Sequence, residues 1–253
     1  MLWYKAWLET RWRFLVGMGL LLLFAGLGVA ARPAMANMQV EMPNLGGRLG
    51  ELVREALTLM DSYRGYVWSQ WFGKNLLQFW TLFAVLIGAG GLATERAGGV
   101  ALWTLSLPVT RLRLLSVRAA VGALELLALA VVPSLLVCLL SPLVGESYPV
   151  ADALAYSLML CAGGAFFYGL ALLLSTLFQD QLKAVLAGMS VAVVMGLLSL
   201  LSADAARYSV YKVMTGEAYF TGGVPPWGSL GACLAAGASM FFVSLRLLER
   251  RDF

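Results

Sequence analysis

Six long apolar runs constrain what this chain can fold into. They cover residues 14–31, 75–94, 116–140, 152–178, 184–202 and 227–247. A hydrocarbon layer about 30 Å thick is crossed by roughly 20 apolar residues in a helix, and each run is close to that length. The sequence therefore predicts an all-α, polytopic membrane protein with six transmembrane helices.

Composition supports the same class. Of the 253 residues, 60% are hydrophobic and 13% are charged, whereas an ordinary globular domain has about 25% charged residues. The six runs use over half of the chain. We therefore expect one transmembrane domain over residues 1–253 and no separate soluble domain.

Several kinds of catalytic site are missing from the sequence. The chain has no histidine, which removes His-based acid-base and metal catalysis. It also has no G-x-x-x-x-G-K-[ST] phosphate loop, no Ser-His-Asp set, no HExxH and no carboxylate cluster with metal-ligand spacing. Its three cysteines, Cys138, Cys161 and Cys233, lie inside apolar runs and are interpreted as packing residues. We expect a chain that is not an enzyme, binds no cofactor and has no nucleic-acid partner.

The basic residues predict the orientation. With a cytoplasmic amino terminus, eleven of the 18 Lys and Arg residues fall on the cytoplasmic side, which is the bias expected of membrane proteins. Both termini are then cytoplasmic. The first run could instead be a signal peptide cleaved after Ala34-Met35-Ala36, but the long aromatic segment before it favours an uncleaved span.

The segment over residues 2–13 has the pattern of an interfacial helix. A helical projection places three tryptophans, Tyr4 and Leu8 on one face, with Lys5, Glu9 and Arg13 on the other. Such a helix is expected to lie at headgroup depth on the cytoplasmic side. Two roles stay open, an ordinary membrane anchor or a specific contact with a partner.

Two segments are predicted to be extracytoplasmic. Residues 32–74 contain a helical stripe at 45–61 that is too polar to span, followed by a group of aromatic residues that marks the return to the membrane. Residues 203–226 form a loop rich in tyrosine and glycine, which Pro225-Pro226 ends just before the last span.

Four polar residues inside the spans are candidates for a translocation path or a gate. Glu125 lies seven residues beyond Arg118, so about 10 Å further along a helix, and an intramembrane carboxylate is a functional candidate by default. The alternative is a structural pair with Arg118, Arg113 or a basic residue of a neighbouring helix. The other three candidates are Gln78, Thr81 and Ser190.

The turn between the second and third runs carries a distinctive motif, G-x-x-x-E-R-x-x-G-x-x-L-x-x-L-S-L-P-V-T-R, from Gly91 to Arg111. Together with the six spans and the amphipathic amino terminus, this turn resembles the permeases of type-2 ATP-binding cassette (ABC) exporters. The residues that carry the resemblance are Gly91, Glu95, Arg96, Gly99, Trp103, Leu105, Leu107, Pro108, Val109, Thr110 and Arg111, with Arg250-Arg251-Asp252-Phe253 at the end of the chain.

The resemblance implies a mechanism shared between chains. Residues 95–111 would be a cytoplasmic coupling helix seated on a cytosolic ABC ATPase, which binds ATP and Mg²⁺. The residues expected to dock on the ATPase are Glu95, Arg96, Gly99, Trp103, Leu105, Leu107, Pro108 and Arg111. A second permease copy, identical or related, would complete the path within the lipid of a prokaryotic cytoplasmic (inner) membrane.

The expected function is therefore the transport subunit of an ATP-driven exporter. The alternative is a membrane scaffold or sensor that transports nothing. A third hypothesis is an intramembrane enzyme, but the sequence contains no recognisable set of catalytic residues. The apolar spans are compatible with a lipid, a drug, a peptide or an amphiphile as substrate.

Overall fold

The computed structural model describes residues 2–34, 58–90, 110–178, 180–201 and 209–250, and this part of the chain contains helices and no strand. The helices are α1 Leu2–Ala30, α2 Tyr63–Tyr66, α3 Leu76–Gly88, α4 Arg111–Leu140, α5 Val150–Leu177, α6 Gln181–Leu201, α7 Val210–Thr215, α8 Glu217–Gly222 and α9 Trp227–Arg250. A π-helical stretch, Val67–Asn75, joins α2 to α3, and a 3₁₀ turn, Ser141–Val144, follows α4.

Five helical segments of the described chain are long and apolar enough to cross a membrane. They are Leu2–Ala30, Arg111–Val144, Val150–Leu177, Gln181–Ser199 and Trp227–Glu249. The all-helical class predicted from the sequence is confirmed. The second predicted span, 75–94, corresponds to α3, which has 13 residues and continues the π-helical stretch without a break.

The amino-terminal segment differs from the expectation. Residues 2–13 are the first turns of α1 and not a separate helix. Thr10 contacts Glu125, and Gly26 lies against Leu140, so α1 and α4 run side by side and parallel. These side contacts explain the continuity, because Ala6 and Thr10 are buried against α4, while Trp3, Tyr4 and Trp12 remain exposed.

A second difference concerns the start of the third span. The side chain of Thr110 accepts a hydrogen bond from the backbone N–H of Arg113 at 3.3 Å, which caps α4 and begins the helix at Arg111. The sequence placed this start at residue 116. Arg111 therefore belongs to the first turn of α4 and not to a separate coupling helix.

Helix α5 lies at the centre of the bundle because small residues let its neighbours approach closely. The ring of Trp80 on α3 fills the space that a side chain at Gly164 would take. A Cβ at Gly169 would lie 2.6 Å from the carbonyl oxygen of Gly237, so α5 and α9 touch through their backbones.

The predicted outer loop 203–226 is helical in its described part, from residue 209. Helix α7 ends at Gly216, whose φ of +64° breaks the helix, and α8 ends at Gly223 with φ +69°. Glycine adopts these left-handed angles without steric cost. The segment is therefore two short helices joined by a sharp bend.

The α5–α9 contact gives a stability prediction. Gly237→Leu would place atoms against the backbone of Ala165, whereas Gly231→Leu, on the same helix, points into open space. Overpacking of this kind costs about 1–3 kcal/mol. We expect thermal unfolding in detergent to occur at a clearly lower temperature for Gly237→Leu than for Gly231→Leu. Equal unfolding temperatures would contradict the backbone contact.

Candidate functional site

The predicted ATPase-docking residues lie mostly outside the described residues. These are Glu95, Arg96, Gly99, Trp103, Leu105, Leu107 and Pro108. The residues on either side of them are described, ending at Gly90 and resuming at Thr110. The structure therefore shows how the two helices that flank this site, α3 and α4, are held in place.

Arg13 holds the end of α3, where the chain enters residues 91–109, which contain most of the predicted coupling helix and are called the coupling segment below. Its Nη1 donates a hydrogen bond to the carbonyl oxygen of Leu86 at 3.0 Å. The last carbonyls of a helix lack partners within the helix and carry partial negative charge, so a guanidinium stabilises them. A Cβ at Gly90 would overlap Nη1 of Arg13, so this position needs the small size of glycine.

Arg111 makes the equivalent contact on the other side of the coupling segment. Its Nη1 donates to the carbonyl oxygens of Leu248 at 2.6 Å and Glu249 at 3.1 Å, in the last turn of α9. Leu115, one turn further along α4, packs against Leu248. The start of α4 is thus attached to the end of α9.

Glu125 forms a hydrogen bond with Thr10, and the charge of Arg13, a basic residue of the neighbouring helix α1, acts on its carboxylate. Its side chain is buried, with 4% exposure, and its Oε1 accepts a hydrogen bond from the hydroxyl of Thr10 at 2.5 Å. Arg118 instead forms an ion pair with Glu9 at 3.2 Å. Within the described chain, Oε2 of Glu125 is buried and accepts no hydrogen bond.

A polar cluster joins α1, α3 and α4, with Thr10 and Glu125 buried and the other members partly buried; its side chains are those of Glu9, Thr10, Arg13, Arg118 and Glu125. A cavity of about 20 Å³ adjoins it, and Glu9, Thr10 and Arg118 contribute to its lining. That volume is enough for one water molecule between polar groups. The arrangement fastens three helices at the level where α3 ends.

The other three candidates lie elsewhere. Gln78 is exposed on α3, and Ser190 is exposed on α6, where its hydroxyl donates to the carbonyl of its own helix. Thr81 is buried, and its hydroxyl donates to Leu77 within α3. No hydrogen bond in the described chain joins any of them to Glu125, so the structure does not assemble the four residues into one site.

A second polar group near the start of α5 was not predicted from the sequence. Arg64 forms an ion pair with buried Asp152 at 2.8 Å, and the hydroxyl of Tyr219 donates to the same carboxylate at 3.4 Å. Burial lowers the pKa of Arg64, but the charge and hydrogen bond of Asp152 together with the nearby Tyr156 and Tyr148 leave that pKa above its ordinary value. The contact joins α2, α5 and α8. The one sequence feature that points to it is the position of Asp152 in the first turn of a helix.

An apolar cleft of about 450 Å³ separates the first turns of α9 from α5. Its lining is Ala155, Leu158, Met159, Ala162, Pro225, Trp227, Leu230, Gly231 and Leu234. Because α5 and α9 touch at Gly169 and Gly237, the cleft lies where the two helices diverge from that contact.

Comparisons with protein-family models, with curated proteins and with solved structures found no match. Among the described residues, no group of three or more His, Cys, Asp or Glu side chains is placed to hold a metal ion.

The bond between Thr10 and Glu125 gives a second prediction. Thr10→Val keeps the shape but leaves a buried carboxylate without its donor, which costs about 1–3 kcal/mol. Thr81→Val is the matched control, because it is also a buried helical threonine but bonds only to its own helix. We expect the free energy of unfolding in lipid bicelles to fall more for Thr10→Val. Equal losses would show that the interhelical bond contributes nothing.

Proposed function

We propose that this chain is the permease subunit of an ATP-driven exporter of the type-2 ABC class. Two copies form the path in a prokaryotic inner membrane, and each copy works with a cytosolic ATPase through residues 95–111. The observation that most supports this proposal is the attachment of both ends of the coupling segment. Arg13 holds the end of α3, and Arg111 joins the start of α4 to α9.

These attachments suit the transmission of force. A displacement of the coupling segment would act on α3 and α4 directly. The polar cluster would transmit this displacement to α1, and Arg111 would transmit it to α9. A partner can shift a conformational equilibrium only by its difference in affinity for the two states, and a rigidly held docking element lets that difference reach the helices.

The contacts of the second predicted span, 75–94, support the proposal that the chain crosses the membrane six times. From Tyr66 to Leu86 the helical rod runs antiparallel to α1 and touches it at successive levels. The contacts pair Tyr66 with Gly28, Phe79 with Phe24, Phe83 with Gly17 and Leu86 with Arg13. Fifteen residues of α1 separate the outermost contacts, about 22 Å of helix. With α3 as the sixth crossing, both termini are on the same side, and the distribution of basic residues favours the cytoplasmic side.

Purification from the membranes of the native host tests the proposal. We expect a tagged chain to bring with it ATP hydrolysis that responds to a hydrophobic compound. Arg96→Glu is expected to remove the bound ATPase, because it reverses a charge in the docking motif. Arg48→Glu, in the predicted outer helix 45–61, is expected to leave the ATPase bound.

Two results would contradict the proposal. One is the absence of any ATP hydrolysis in the purified wild-type complex, and the other is equal retention of the ATPase by Arg96→Glu and Arg48→Glu. A stable complex whose ATP turnover responds to no compound would favour the alternative of a membrane scaffold or sensor.

A further prediction separates docking from force transmission. Arg13→Met removes the contact with α3 and leaves the predicted docking residues themselves unchanged, whereas Arg11→Met changes an exposed residue of the same helix. Coupling between sites is typically worth about 5–150-fold. We expect Arg13→Met to lower substrate-stimulated ATP turnover at least about fivefold while the ATPase stays bound. Equal substrate-stimulated ATP turnover in Arg13→Met and Arg11→Met would refute the role of Arg13 in force transmission.

A further inference from the structure

Helices α7 and α8 follow α5 from its N-terminal end to its middle. Successive contacts join Tyr219 to Asp152, Gly216 to Met159, Met214 to Gly163 and Tyr211 to Phe167. The residue numbers fall along one partner as they rise along the other. The segment over residues 211–219 therefore runs antiparallel to α5, with Tyr211 at its inner end.

The inner end of this segment lies at the depth of the membrane centre. Phe167 is seventeen residues beyond Val150, about 25 Å along a helix whose 28 residues extend about 42 Å. The hydrocarbon layer is about 30 Å thick, so Phe167 is well inside it. An independent contact agrees, because the hydroxyl of Tyr211 donates at 2.7 Å to the carbonyl of Ala192, near the middle of α6.

A charged pair lies on this segment. Nζ of Lys212 is 3.1 Å from Oε1 of Glu217, and the side chains are 48% and 40% exposed. Lys212 follows Tyr211 and precedes Met214, so its backbone is level with residues 163–167 of α5. A single lysine at the centre of a lipid-facing helix costs about 2.5–3.5 kcal/mol on insertion scales. Hydrocarbon is therefore an unfavourable environment for this surface.

Burial of this surface under another part of the protein is also unfavourable. Each charge already has its partner within the segment, so covering the two half-exposed side chains would add a desolvation cost without a new partner. Desolvation of an ion pair can exceed the attraction between its members. The bent backbone at Gly216 is buried against Tyr156 and Met159, which is a place where such a bend is tolerated at membrane depth.

We propose that Lys212 and Glu217 border a water-filled cleft that reaches the middle of the hydrocarbon layer from the N-terminal end of α5. The cleft accepts hydrated polar groups. If the proposed export function holds, the polar head of an amphiphilic substrate is the group that fits it. The cleft itself rests on the contacts of α7 and α8 and does not depend on an ATPase.

Thiol labelling tests the cleft. Single cysteines are introduced into a chain in which Cys138, Cys161 and Cys233 are replaced by alanine, and the protein is placed in lipid nanodiscs, which expose both membrane faces. The reagent is a charged maleimide that does not enter lipid. The test variants are Lys212→Cys and Ala218→Cys, and the second of these keeps the ion pair intact. Size-exclusion profiles check that each variant is folded.

Leu158→Cys is the matched control. Leu158 is 56% exposed on α5 and lies eight residues from Val150, about 12 Å along the helix, so it is less deep than Lys212. Thiolate is the reacting form, and apolar surroundings suppress it. We expect both test cysteines to react at least about tenfold faster than the cysteine at position 158.

Each other outcome overturns the inference. Slow reaction of both test cysteines means that lipid or protein covers this face. Equally fast reaction at position 158 means that water also reaches this part of α5, including the apolar cleft that Leu158 lines, so the surface at Lys212 is not distinguished from its surroundings. Because no ATPase is present, a failure here is distinct from a failure of the proposed function.

Discussion

Close approach of neighbouring helices to the glycines of α5 is the interaction on which the rest of the described structure depends. Gly164 makes room for Trp80, Gly169 meets Gly237, and Gly163 meets the backbone of Met214. Lipid tails give helices no hydrophobic reason to associate, so van der Waals contact at small residues takes that role. These three contacts set the positions of α3, α9 and α7 around one central helix.

The contacts that arginine side chains make between helices lie towards the two ends of this bundle. At the end where α3 finishes and α4 begins, Arg13 and the pair Glu9–Arg118 hold the helices around the coupling segment. At the other end, Arg64, Asp152 and Tyr219 hold α2 and α8 against the start of α5. The proposed mechanism uses both ends, because force would enter at the first and the proposed water-filled cleft would open at the second.

Long helices were predictable from the sequence, and contacts between them were not. The predicted spans 152–178, 184–202 and 227–247 agree within a few residues with α5, α6 and α9, because long apolar runs dominate the local pattern. Thr10 and Glu125 are 115 residues apart, so no local pattern could pair them. Hydropathy over a span-length window also cannot detect α7 and α8, which have six residues each.

The central claim is that ATP-driven force enters through the chain between α3 and α4. A cryo-electron microscopy structure of the assembly purified from native membranes tests it most directly. The account predicts that residues 95–108 are seated on a nucleotide-binding protein, on the membrane side opposite the start of α5. A structure in which these residues contact no other protein, or lie on the same side as the start of α5, would contradict it.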